Sequence, residues 1–158
     1  MGTALFYHLT RSTPDQTAGM LLPRAVAQGW RVVVRGGDPA RIAALDDHLW
    51  LHPDDGFLPH GVAGGAHDAD QPVLLGGPGL PVAGAQAVML LDGATATPDE
   101  ARALQRVWVL FDGGDEGAVA QARALWSALT GAGIGAQYWS EEGGRWQMKT
   151  ERAAAPGA

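Results

Sequence analysis

Short apolar runs recur along this chain between amphipathic stretches, and their spacing predicts alternating strands and helices. The runs at Ala4–Leu9, Trp30–Arg35, Pro72–Leu75, Ala87–Leu91, Val107–Phe111 and Ala136–Trp139 each have the length of a strand. Three of them, Arg31-Val32-Val33-Val34-Arg35, Val88-Met89-Leu90-Leu91 and Val107-Trp108-Val109-Leu110-Phe111, are continuously apolar rather than alternating. Continuous apolarity fits strands covered on both faces, as in a largely parallel sheet.

Helical patterns fill the intervals. They cover Pro14–Gln28, closed by Gly29; Pro39–Leu51, entered through Asp38; Pro98–Arg106; and Glu116–Thr130, closed by Gly131. The expected fold class is therefore α/β: a three-layer α/β/α sandwich around a largely parallel central sheet. Residues 1–150 are expected to form one domain, and 151–158 a disordered tail. The Gly76-Gly77-Pro78-Gly79-Leu80-Pro81 stretch reads as a surface loop, and the Gly/Ala/Asp-rich Gly61–Asp70 stretch as a mobile one.

Composition narrows the functional classes. At 158 residues and 46% hydrophobic content the chain can bury a sizeable core, and its mean hydropathy near zero does not call for a membrane. There is no cysteine, which excludes disulfides and thiolate zinc sites. The opening Met1–His8 segment lacks the basic and apolar regions of a signal peptide, so a cytoplasmic location is expected. A net charge of −6 opposes the phosphate-neutralising term that dominates direct DNA binding. Ten of the eleven basic residues are Arg and the single Lys is Lys149, so an anion site would rest mainly on guanidinium groups.

Candidate catalytic motifs are incomplete. The strand ends Gly36-Gly37-Asp38, Leu91-Asp92-Gly93 and Phe111-Asp112-Gly113-Gly114-Asp115 resemble phosphate or magnesium loops of α/β folds. A phosphate loop also needs Lys followed by Ser or Thr within a glycine-rich turn, and Lys149 lies elsewhere. Gly76-Gly77-Pro78-Gly79 runs into Leu80-Pro81 rather than into a helix that could hold a pyrophosphate. His48 and His52, with Asp46, Asp47, Asp54, Asp55 and His60 nearby, invite a metal reading, but Pro53 ends the helix and the zincin Glu is missing. No thiol and no Gly-x-Ser-x-Gly elbow offers a nucleophile, so neither catalysis, metal nor cofactor is expected.

The aromatic and cationic residues are more informative. Six Trp occur, four of them in the last third, with Arg123 three residues before Trp126 and Arg145-Trp146 leading to Lys149. Residues three apart on a helix are neighbours. An apolar pocket beside a guanidinium suits an apolar, anionic peptide, such as one ending in a free carboxylate. A second candidate is Leu49–Gly61, an aromatic, proline-stiffened segment with Trp50, Phe57, Pro59 and His60 that either seals a core edge or presents a preformed apolar surface.

Leu45-Asp46-x-x-Leu49-Trp50, Gly56-Phe57-Leu58-Pro59-His60-Gly61, Gln71-Pro72-Val73-Leu74-Leu75, Phe111-Asp112-Gly113 and Gly144-Arg145-Trp146, in this order, resemble the chi subunit family of bacterial DNA polymerase III. The resemblance implies a Rossmann-like or P-loop-like outline without a nucleotide site, and a non-catalytic adaptor of the clamp loader. Its implied partners are the acidic C-terminal tail of the single-stranded DNA-binding protein and the psi subunit or an equivalent, with DNA contacted only indirectly and no membrane. It places the tail site at Arg123 and Trp126, with Trp146 and Lys149 as neighbours, and puts Trp50, Phe57, Pro59 and His60 at another protein interface. Val119 and Ser127 stand where the family pattern has lysines. The rival readings are a Rossmann-like enzyme using Asp92 or Asp112 on a nucleotide or phosphorylated ligand, and a purely structural subunit.

Overall fold

The computed structural model describes residues 2–51, 58–65 and 67–155. In chain order the elements are β1 (Thr3–Leu9), α1 (Pro14–Ala27), β2 (Val32–Gly36), α2 (Pro39–Leu51), β3 (His60–Val62), a 3₁₀ turn (Asp68–Asp70), β4 (Val73–Gly76), β5 (Ala87–Leu91), α3 (Pro98–Ala103), β6 (Arg106–Asp112), α4 (Glu116–Gly131), β7 (Gly135–Ser140) and β8 (Gln147–Arg152). The strands form an eight-stranded sheet ordered β3-β4-β2-β5-β6-β1-β7-β8. Every described pairing is parallel except that of β7 with β8. This is the expected α/β sandwich.

Strand alternation sorts the apolar residues into two cores. Leu5, Val32, Val34, Met89, Trp108 and Leu110 pack on one face against Ala18, Leu22, Leu45 and Leu49 of α1 and α2. Ala4, Phe6, Val33, Leu90, Val107 and Val109 point the other way, onto Ala101 of α3 and Ala122, Leu125 and Leu129 of α4. The continuous apolar runs are thus strands with two buried faces.

Caps fix where the helices begin. Thr13 and Gln16 form a capping box at α1, Thr97 and Glu100 another at α3, and the Asp115 carboxylate accepts from the N–H groups of Gly117 and Ala118 at α4. At α2 the expected cap holds, with Asp38 Oδ1 accepting from Ala40 N at 2.9 Å.

Three expectations need correction. The third helix stops at Ala103 rather than Arg106, because Leu104 is extended and Arg106 opens β6. Glu151 and Arg152, expected in a disordered tail, belong to β8, where Gln137 pairs with Glu151 and Ala136 with Arg152. Finally, β3 and β8 are strands without a counterpart in the apolar pattern.

Candidate functional site

Helix α4 places Val119, Arg123 and Ser127 along one stripe at intervals of four. Arg123 and Ser127 are exposed, whereas Trp126 is partly buried against the sheet. The Trp126 ring meets Phe6 edge to face at 5.3 Å and Tyr138 at 6.1 Å. Tyr138 also lies 5.9 Å from Phe111, and its hydroxyl is 2.7 Å from His8 Nδ1. His8 in turn sits edge to face on Phe111 at 5.3 Å.

Register explains this assembly. Phe6 on β1 stands opposite Val109 of β6 and Tyr138 of β7, and His8 stands opposite Phe111, so all share the face that α4 covers. The result is an aromatic box of Phe6, His8, Phe111, Trp126 and Tyr138, edged by the Arg123 guanidinium. Burial raises the Tyr138 phenol above its ordinary pKa, the nearby Arg123 charge works against that rise, and Glu142 adds to it. At neutral pH Tyr138 is therefore a neutral hydroxyl beside a permanent cation. Sequence reasoning singled out Arg123 and Trp126 but missed His8 and Tyr138, which even-numbered positions of β1 and their cross-strand partners would have revealed.

The neighbours expected at this site do not both join it. Trp146 packs on Tyr7 at 5.2 Å within the α1/α2 core, on the opposite face of the sheet, because odd-numbered β1 residues point there. It cannot share a cleft with Trp126. Lys149 is exposed on β8 at a register shift, Met148 pairing with Trp139 and Thr150 with Tyr138.

The second candidate surface is also divided. Trp50 is 46% exposed and Leu51 73%, at the end of α2, and Val62 on β3 is 45% exposed. His60, expected among the contacts, is instead an internal anchor. Its ring is buried under Trp50, 4.2 Å between centroids, with Nδ1 2.7 Å from the Leu58 carbonyl and Nε2 3.3 Å from Asp46 Oδ1. Pro59 is partly buried, and Phe57 lies outside the described residues, as do His52, Asp54 and Asp55 of the metal reading. Among the described residues no three His, Asp or Glu side chains group as a metal site.

A crevice of about 620 Å³ opens at the carboxyl ends of β1, β5 and β6, where ligands bind in related architectures. Its carboxylates hold the chain itself. Asp92, at φ +53°, pairs with Arg41 at 3.4 Å, Asp112 Oδ1 accepts from Gly114 N, and Asp115 caps α4. Behind the crevice wall, the loop after β1 donates to Glu141. The Glu141 carboxylate accepts from Arg11 N at 2.5 Å, from Ser12 N, and from the Ser12 hydroxyl at 3.0 Å. Burial disfavours its charge, but these donors outweigh burial and hold its pKa below the ordinary carboxylate value.

A mostly parallel sheet between two helical layers, with an engaged crevice and an aromatic, cationic flank, gives the chain the outline of an α/β sandwich. A family model described as "DNA polymerase III chi subunit, HolC" matches residues 1–137. The chain belongs to the DNA polymerase III chi subunit family. The "DNA polymerase III subunit chi" of Pseudomonas aeruginosa is 35% identical over 74 residues, covering 45% of this chain and 51% of that relative. The chain thus spans about half the length of the curated relative it matches. Among the described residues no helix is long and apolar enough to cross a membrane.

Proposed function

We propose that this chain is a non-catalytic adaptor of the DNA polymerase III clamp loader, holding the acidic C-terminal tail of the single-stranded DNA-binding protein. The observation that carries this reading is an exposed Arg123 guanidinium at the rim of a half-buried aromatic box built from Trp126 and Tyr138. A terminal carboxylate would pair with Arg123, and the preceding apolar side chain would lie on the rings. The net charge of −6 argues that contact with DNA runs through the partner rather than through this surface. Trp50, Leu51 and Val62 would form the second face, meeting a psi subunit or its equivalent; such exposed apolar groups on adjoining elements mark protein contact. An enzyme working in the crevice finds less support, since Asp92, Asp112 and Asp115 are engaged in holding the backbone and Arg41.

Calorimetric titration with a synthetic acidic, apolar peptide carrying a free C-terminus tests the tail site. Arg123→Ala should weaken binding by roughly 1–3 kcal/mol, the range for a charge-assisted contact. Amidating the peptide should weaken wild-type binding similarly and leave Arg123→Ala unaffected. Equal loss from amidation in both proteins would place the carboxylate elsewhere and overturn the assignment.

A further inference from the structure

The loop joining β1 to α1 lies where many parallel α/β proteins accept a phosphate, at the carboxyl end of a central strand and the start of a helix. In this chain its donors face inward onto one side chain. Glu141, just beyond β7, is 4% exposed, and its two oxygens take the N–H groups of Arg11 and Ser12 and the Ser12 hydroxyl. A carboxylate held by successive backbone N–H groups and a hydroxyl is chemically what such a loop offers an oxyanion. We propose that Glu141 is a built-in anion that occupies the phosphate-accepting loop of this fold, closing it to external oxyanions and fastening the β7–β8 turn to the first crossover.

The geometry around the carboxylate fits a fastening. The Glu141 carbonyl accepts from Gly144 N at 2.9 Å, which turns the chain back towards β8 through Gly144 at φ +83°. The six residues of β8 are exposed and pair with β7 alone among the described strands. Beyond the pairing of β7 with β1, this anchor and the Trp146 contact with Tyr7 fix the turn of the hairpin to the body.

Glu141→Ala and Glu141→Gln separate charge from shape. The Ala variant should melt several degrees below wild type, and raising inorganic phosphate to about 100 mM, against chloride at equal ionic strength, should recover part of that loss in a saturable manner. Wild type should show no phosphate-specific gain, and Glu141→Gln, which keeps an acceptor oxygen, should melt between the two and respond weakly. Phosphorus NMR line broadening of phosphate by Glu141→Ala, absent with wild type, reports the opened loop independently of melting. Equal phosphate responses in all three proteins would overturn the proposal. So would a Glu141→Ala protein as stable as wild type. If Ala fails to fold, the Gln variant decides through the same phosphate comparison: a response no larger than wild type refutes the built-in anion.

Discussion

Arg35 is a full charge at 5% exposure, and the way it is held makes a quantitative prediction. Its Nη2 is 2.6 Å from Glu100 Oε2 and its Nη1 3.0 Å from Oε1, while Nε and Nη1 also donate to the Leu80 and Thr95 carbonyls. The Arg35 hydrogen bonds, assisted by those from Thr97, hold the Glu100 carboxyl at about 2 instead of 4.5. A depression of that size is worth about 3 kcal/mol, and because 27% of the Glu100 side chain is exposed, solvent trims it to about 2 kcal/mol. Glu100→Gln keeps the reach to Thr97 N but leaves the buried guanidinium without a counter-charge, so it should destabilise by about 2–3 kcal/mol at pH 7. Thermal melts should record a fall in Tm of roughly 5–10 °C for a chain of this size. Since the folded pKa lies below the unfolded one, this stabilisation is complete above 4.5 and is lost as pH falls towards 2. At pH 3 less than half of the gap between the two proteins should remain. Adding Arg35→Met to Glu100→Gln should restore at least about 1 kcal/mol, because the orphaned charge is gone. A gap under about 0.5 kcal/mol at pH 7, or one that does not shrink in acid, would refute the reasoning.

Two further outcomes bear on the aromatic box. A Cβ at Gly113 would fall 2.1 Å from His8 Nε2, so Gly113→Ala should push His8 off the Tyr138 hydroxyl, costing about 1–3 kcal/mol in a urea melt and weakening the tail peptide in the same calorimetric titration. Trp146→Ala should cost about 1–3 kcal/mol in the same melt through the lost Tyr7 contact, yet leave peptide affinity unchanged; a weakened peptide would return Trp146 to the site.

Where burial on both faces wrote itself into composition, the sequence was readable. Val32-Val33-Val34 and Val88-Met89-Leu90-Leu91 serve both cores in alternation, so their runs mark central strands directly. β8 carries no such mark, since Gln147–Arg152 is exposed and held by backbone pairing with β7. β3 spans three residues including Gly61, too few for any period to register. The same logic divides the site. Arg123 and Trp126 are three apart on one helix, and local spacing suffices to join them. His8 and Tyr138 are 130 residues apart, and only the β1–β7 register brings them together. Trp146 misled because Arg145-Trp146 resembles a cationic, aromatic pair, while the face on which a turn deposits its ring depends on parity along β1, which the turn itself does not encode.

On the proposed reading, binding lies on the flank rather than at the strand ends. In an open parallel sheet the carboxyl ends concentrate loop N–H groups and helix starts, and a ligand there competes for donors that otherwise need partners. Here Glu141, Asp112 and Asp115 already take those donors, so the end of the sheet is internally satisfied and contributes rigidity. The flank of α4 and β7 offers the opposite: an exposed cation on a rigid helix, over rings already packed and therefore ordered before any partner arrives. A single exposed guanidinium is screened by salt and a single aromatic contact is modest, so the proposed grip on a tail would be of about micromolar strength and quickly released. An adaptor facing several tails on one coated strand gains from that weakness. Neighbouring tails raise the effective concentration while each contact stays exchangeable, so the assembly remains tethered while individual tails let go.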